Sequence, residues 1–125
     1  MMNQTSLIKK KQKESLLFRE LSTIITLLQQ DEKRIIGLVP TRVSLSDDKG
    51  HCSLYFTCDT EEEFLTKLET LKLYKPSIRA QLSKNIKGRY TPEIVFKYDQ
   101  QFKKQLEIDQ ILDAIASDLP KSDDN

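Results

Sequence analysis

The feature that most constrains this fold is a proline between two helical patterns. Apolar residues recur at the spacing of one helix face on both sides of it: Phe64, Leu68 and Leu71 before, Ile78, Leu82 and Ile86 after. A proline inside a helix loses a hydrogen bond and costs about 3 kcal/mol, but a first helical turn tolerates it. Pro76 therefore predicts a kink at which a new helix begins, with both helices facing one core.

The patterns before this kink predict a helix and a hairpin. The helix is expected over about residues 10 to 30, and the turn of the hairpin at DDKG, where Gly50 can take a positive φ. Alternation assigns these inward-facing residues to the two strands: Val39, Thr41, Val43 and Leu45, then Cys52, Leu54, Phe56 and Cys58. Pro40 favours an edge strand or a strand start, because it has no N–H for the ladder.

The patterns from the second helix onward predict two helices, a third strand and a last helix, so that the complete order is α-β-β-α-α-β-α. Thr60 and Glu63 have the spacing of a capping box at the start of the second helix, and Gly88 is expected to end the third. A strand with an inward face and a helix with a core stripe follow: Ile94, Phe96 and Tyr98, then Phe102, Leu106, Ile111 or Leu112, and Ile115. The predicted domain is 10–116, between a flexible basic N-terminus (1–9) and a disordered acidic tail (117–125).

The charges are distributed unevenly, although the formal net charge is only +1. Residues 64–90 contain seven basic side chains and one acidic, whereas the chain from Asp99 onward contains seven acidic side chains and three lysines. Dense local charge of one sign focuses the field of a surface even when the total is small. A polyanionic partner such as a nucleic acid is therefore one interpretation, and solvated helix faces are the other.

Motifs for catalysis are missing from the sequence. It contains no phosphate-binding glycine loop, no nucleophile elbow and no zinc-protease motif, and its one histidine, His51, falls in a predicted strand. Cys52 and Cys58 fit reduced core thiols better than a metal site, which needs more ligands at tighter spacing. We expect no enzyme, no cofactor and no metal. No apolar run approaches a membrane span and no secretion signal is evident, so we expect a cytoplasmic protein.

A basic row borders the kink. Lys75, Arg79, Ser83 and Lys87 are each four apart, beside the apolar stripe of the third helix. We take six residues as candidate RNA contacts: Lys72, Lys75, Arg79, Lys84, Lys87 and Arg89. Backbone N–H groups at the start of a helix could also face an anion there.

The sequence resembles the ribosome-binding factor A family from about residue 10 to 116. The most specific stretch is IRAQLSKNIKGRYTPEIVFKYD, which is similar to the family's helix with IR and L, followed by a basic segment and PEL.F.YD. The matching residues are Ile78, Arg79, Leu82, Pro92, Glu93, Phe96, Tyr98 and Asp99. The hairpin TRVSLSDD…SLYFT and the ending IDQILDAI resemble the family's patterns as well.

The resemblance implies an α+β, KH-like domain of type II, with helices packed on one face of a three-stranded sheet. Members bind the small (30S) ribosomal subunit and its 16S rRNA, assist late maturation including 5′-end processing, and support growth in the cold. They are not enzymes. The family has an Ala-x-Gly kink between the helices, where this chain has Tyr74, Lys75 and Pro76.

Two other functions remain open on these residues. A KH-like module for other RNAs would use the same basic row, and a protein-interaction adaptor would use the acidic C-terminal helix. We expect a monomer, because the apolar stripes leave no large apolar patch uncovered.

Overall fold

The computed structural model describes residues 4–86 and 90–118 of the chain. Its elements are α1 (Gln4–Asp31), a 3₁₀ turn (Lys33–Ile35), β1 (Val39–Leu45), β2 (His51–Thr57), α2 (Glu61–Leu73), α3 (Lys75–Asn85), β3 (Glu93–Tyr98) and α4 (Gln100–Asp118). This order confirms the prediction. Helix α1 begins at Gln4 rather than near residue 10, so residues 4–9, expected in a flexible segment, are helical. Residues 1–3 of that segment lie outside the described residues.

The three strands form one mixed sheet in the order β1-β2-β3. Strand β1 pairs with β2 antiparallel, as the hairpin requires, and β3 pairs with β2 in parallel. A parallel pair needs a long crossover, which α2 and α3 provide. Strand β1 lies at the edge of the sheet, which is the position that Pro40 predicts.

The core lies between one face of the sheet and helices α1, α2 and α3. Phe56 is central to it, with ring centroids 6.3 Å from Phe64 and 6.0 Å from Phe96. The other buried apolar side chains come from every helix except α4 and from all three strands: Leu17, Leu21, Ile24, Ile25, Ile35, Leu38, Leu45, Cys52, Leu54, Leu71, Ile78, Leu82 and Ile94. The predicted apolar stripes of α2 and α3 are therefore confirmed as part of the core.

A β-bulge corrects the predicted face of β1. The pairing register shifts between Pro40 and Arg42, so that Thr41 is the extra residue. An extra residue reverses which side chains point inward on either side of it. Val39 is consequently 53% exposed, whereas Leu45, beyond the bulge, is buried as expected.

The hairpin turn also differs from the prediction. The residue with positive φ is Lys49 (φ 59°) and not Gly50. The Asp48 carboxylate accepts hydrogen bonds from the Gly50 N–H (2.9 Å) and the Ser46 hydroxyl (2.6 Å). These two bonds hold the backbone after Lys49, and the left-handed residue is therefore the lysine before the glycine.

Helix α4 is not part of the core, which contradicts the predicted stripe. Its large apolar side chains are all exposed: Phe102, Leu106, Ile108, Ile111, Leu112 and Ile115. At about 100° per residue, Phe102 and Leu106 lie on nearly the opposite side from Ile111, so these residues do not form one face. The reason for expecting a monomer fails with this stripe. Residues 117 and 118 of the expected tail are helical, and 119–125 lie outside the described residues.

Asp99 joins the sheet to the start of α4 and is the one charged side chain buried among the described residues. Its carboxylate accepts hydrogen bonds from the Thr41 hydroxyl (2.6 Å), the Arg42 guanidinium (3.1 Å) and the Phe102 N–H (3.0 Å). Burial raises the pKa of Asp99, but these three donors outweigh it and lower the pKa below its ordinary value. The bulge therefore has a function, because Thr41 reaches this carboxylate from it.

Replacing Asp99 with alanine should destabilise the fold by about 2 kcal/mol at neutral pH, since it removes a helix cap and buried hydrogen bonds. A carboxyl whose pKa is lowered by folding stabilises above its unfolded pKa, near 3.8, and loses that contribution as pH falls through the folded pKa. The difference between parent and Asp99→Ala should thus shrink below about pH 3.8. Urea unfolding at several pH values measures it, with Asp113→Ala on exposed α4 as the control. A difference that stays constant into acid would contradict the assignment.

Candidate nucleic-acid interface

The kink between α2 and α3 is centred on Tyr74, which ends one helix and caps the next. Its backbone (φ −95°, ψ 0°) departs from helical geometry, and Pro76 lies in the first turn of α3. The Tyr74 N–H donates to the Leu71 carbonyl, while the Tyr74 carbonyl accepts from the Ile78 N–H. The predicted kink is confirmed, with proline where its missing N–H leaves no helical hydrogen bond unmade.

The Tyr74 side chain fixes this kink to the segment after α1. Its hydroxyl donates to the Glu32 carboxylate at 2.7 Å, and Arg34 binds the same carboxylate through two guanidinium nitrogens at 2.9 and 2.8 Å. The hydrogen bond from the Arg34 side chain, followed by that from Tyr74, lowers the pKa of Glu32 to about 2. A large polar residue thus holds the junction, and no pattern in the sequence indicated this partner.

The helix after the kink borders a groove of about 580 Å³. We call it the α3 groove, and it is lined by Pro76, Arg79, Ala80, Ser83, Tyr90 and Thr91. One wall is α3 and the other is the segment that leads into β3. Tyr90 is 68% exposed there. An exposed aromatic ring beside a groove is an element that single-stranded RNA uses, since bases stack on aromatic side chains.

Arg79 occupies the α3 groove but is bound within the protein. Its guanidinium donates to the carbonyls of Thr91 (2.8 Å) and Pro92 (3.3 Å), and it lies 3.6 Å from the Glu93 carboxylate. These contacts join α3 to the chain before β3 and so set the width of the groove. Among the candidate RNA contacts that the structure describes, Arg79 therefore has a structural role.

The other candidate RNA contacts differ in the solvent exposure of their side chains and in the contacts that they make. Lys72 and Lys84 are exposed, in the last turns of α2 and α3. Lys75 is half-buried, and its ammonium lies 5.4 Å from the centroid of the Phe96 ring, a cation–π contact. Lys87, Arg89 and the expected helix stop Gly88 lie outside the described residues. The structure therefore describes Lys75, Arg79 and Ser83 of the predicted basic row, but not Lys87.

Cys52, Cys58 and His51 do not line the α3 groove. Cys52 is buried and Cys58 half-buried, and both are unpaired by disulfide. Burial, with a smaller effect of the Glu14 charge, raises the pKa of Cys52 to about 12, so this thiol stays protonated. Over residues 4–86 and 90–118, no three His, Cys, Asp or Glu side chains gather as a metal site would require.

Comparison with known proteins gives a consistent match over most of the chain. A family model described as Ribosome-binding factor A matches residues 9–112. A protein named Ribosome-binding factor A from Prochlorococcus marinus (strain AS9601) is 36% identical over 105 residues, which cover 82% of this chain and 81% of the relative. One of the same name from Mycoplasmopsis pulmonis is 33% identical over 111 residues, covering 89% and 96%.

Solved structures agree with the sequence match. The crystal structure of ribosome-binding factor A from Thermus thermophilus is similar with a TM-score of 0.60 and 29% identity, covering 70% of this chain and 92% of that one. A Thermotoga maritima protein solved in solution gives a TM-score of 0.62 at 29% identity, covering 77% and 90%. The expected α+β, KH-like fold is thereby confirmed.

The hydrogen bonds at the kink predict how Glu32 titrates. In Tyr74→Phe the pKa of Glu32 should rise from about 2 but stay below its ordinary value of 4.5, because Arg34 has the larger effect. Arg34→Gln should raise it further. Carbon-detected NMR titration of the Glu32 carboxyl measures both. A Glu32 that titrates near 4.5 in the parent, or a larger rise in Tyr74→Phe than in Arg34→Gln, would show that this network is not formed.

Proposed function

The chain belongs to the ribosome-binding factor A family, and from that premise we propose that it assists the assembly of the small (30S) ribosomal subunit. It binds the subunit through 16S rRNA late in maturation and supports processing of the rRNA 5′ end. The observation that carries this proposal is the family match over residues 9–112, which spans every element from α1 into α4. A match of that extent includes both walls of the α3 groove.

The geometry of the α3 groove supports RNA as the ligand. Lys72 and Lys84 extend from helix ends without an ion-pair partner among the described residues, so both are available to phosphates. Tyr90 offers a ring for a base, and Arg79 fixes the wall on which that ring is carried. Phosphate contacts and stacking together suit a bent or single-stranded RNA better than a regular duplex, whose bases are not free to stack.

The remaining parts of the proposal follow the family. The protein acts by binding and not by catalysis, it binds the small subunit in the cytoplasm, and its loss is expected to slow growth in the cold. The part of the chain that the structure describes includes no helix with the length and apolarity needed to cross a membrane. Fractionation of cell extract tests the partner, because sedimentation with free small subunits supports the proposal, whereas sedimentation with loose RNA or with neither contradicts it.

Charge removal at the last turns of α2 and α3 tests the proposed phosphate contacts. The double change Lys72→Gln and Lys84→Gln should reduce the slope of log affinity against log salt by about 1.4 to 1.8, if each lysine neutralises one phosphate. Lys103→Gln with Lys104→Gln, on α4, removes the same charge and should leave the slope unchanged. Binding to purified small subunits is titrated with salt for both variants. Equal effects of the two pairs would mean that only the overall charge matters.

Tyr90→Ala tests stacking separately from charge. A stacked base contributes about 1 to 3 kcal/mol, so the affinity for small subunits should fall about 5- to 150-fold while the salt slope stays that of the parent. The same titration measures both quantities. If the variant binds small subunits with the affinity of the parent, the Tyr90 ring does not stack on RNA, and only the lysines remain as proposed contacts.

A further inference from the structure

A groove with three lysines in its lining lies between the N-terminal half of α1, the hairpin turn and the end of α3. We call it the α1 groove; its volume is about 420 Å³. It is lined by Lys9, Gln12, Lys13, Leu16, Leu17, Lys49 and Ile86. Lys9, Gln12, Lys13 and Leu16 follow the spacing of one helix face, so α1 forms one wall and the turn supplies Lys49 opposite it.

The three lysines of the α1 groove are not neutralised by the protein. No ion pair or side-chain hydrogen bond involves the ammonium groups of Lys9, Lys13 or Lys49 within residues 4–86 and 90–118. Nearby acids are engaged elsewhere. Asp47 pairs with Lys10 at 3.1 Å, and the Glu14 carboxylate accepts the Leu45 N–H at 2.8 Å. Three lysines therefore line one space, and none of their ammonium groups has an ion-pair partner among the described residues.

The groove is held open by contacts that join elements far apart in sequence. The Lys10–Asp47 ion pair fixes the turn to α1, and Glu14 fixes the edge strand to the same helix. Within the turn, the Asp48 carboxylate accepts hydrogen bonds from the Ser46 hydroxyl and the Gly50 N–H. Lys49 is thereby held at φ 59°, an uncommon conformation for a residue with a side chain. The groove is thus formed before any ligand arrives.

The lining of the groove indicates the chemistry of its ligand. Leu17 is buried at its base, Leu16 is 38% exposed, and Ile86 is half-buried at the end of α3. Ammonium groups above an apolar floor fit a chain of phosphates joined by sugars and bases, which presents both kinds of surface. A compact anion would use the lysines and leave the floor unoccupied.

We propose that the α1 groove is a second RNA-binding site, in which Lys9, Lys13 and Lys49 contact successive phosphates of a single strand. This rests on the proposed function, because it assumes an rRNA partner. Both grooves border α3, one along Pro76 to Ser83 and the other at Ile86. The protein would hold rRNA on two sides of this helix.

The test compares two triple variants of equal charge. Lys9→Gln, Lys13→Gln and Lys49→Gln should flatten the salt dependence of binding to purified small subunits by about 2 to 3, whereas Lys33→Gln, Lys103→Gln and Lys104→Gln should not. If the variant with Lys49→Gln does not unfold cooperatively like the parent, Lys9→Gln with Lys13→Gln leaves the turn intact and should flatten it by about 1.4 to 1.8. The proposal is overturned if the α1 groove variant has the same salt slope as the parent. It is also overturned if both triple variants lose the same amount of salt slope.

An oligonucleotide separates this inference from the proposed function. A 12-nucleotide oligouridine added to the labelled protein should shift the amide NMR signals of Lys9, Lys13 and Lys49. If the parent does not bind small subunits, the proposed function fails, while these shifts would still support the groove and their absence would overturn it. Polyglutamate is the matched polyanion without sugars or bases. Equal shifts with polyglutamate would overturn the assignment to RNA in favour of an acidic peptide.

Discussion

The break between α2 and α3 is the constraint on which the rest of the structure depends. Glu61 to Asn85 would form a straight helix of about 37 Å, while strands of six or seven residues span only about 20 to 23 Å. A straight helix would extend past the sheet and could not bury Phe64 near one end and Leu82 near the other. The kink instead lets both helices lie over the same face of the sheet, where Phe64 and Leu82 are buried in one core.

The break is enforced by side chains rather than by glycine. Pro76 fixes the first turn of α3, Tyr74 binds Glu32, and Arg79 binds the carbonyls before β3. Each of these contacts couples the kink to a different part of the fold. The α3 groove therefore keeps its shape through packing and hydrogen bonds, and a ligand meets a preformed surface. Proline and tyrosine do not offer the close backbone approach of glycine, so the proposed RNA contacts near this kink are assigned to side chains.

The sequence predicts those parts of the structure that depend on local patterns. Helical spacing and the proline located α2, α3 and their shared core, and the family resemblance gave the topology. The bulge at Thr41 could not be predicted, because it depends on Asp99, 58 residues away. The same is true of Arg79. Its spacing suggested a free surface cation, but its partners are the carbonyl groups of Thr91 and Pro92, in the segment that leads into β3. In α4 the error was different, since apolar residues on two sides of a helix were combined into one stripe.

The positions of the charges explain how a chain of net charge +1 can present cationic surfaces. The acids of α4 follow Asp99, whose N–H donates to the Phe56 carbonyl at one end of β2, whereas Lys49 lies just before the other end, at His51. His51 and Phe56 are five residue steps apart along β2, which corresponds to about 17 Å. Exposed charges further apart than about 8 Å are largely screened at physiological salt. The base of the acidic helix therefore lies beyond the range at which it could cancel the field at the hairpin turn. Near-zero net charge is thus compatible with tight phosphate contacts, provided that those contacts are short and local.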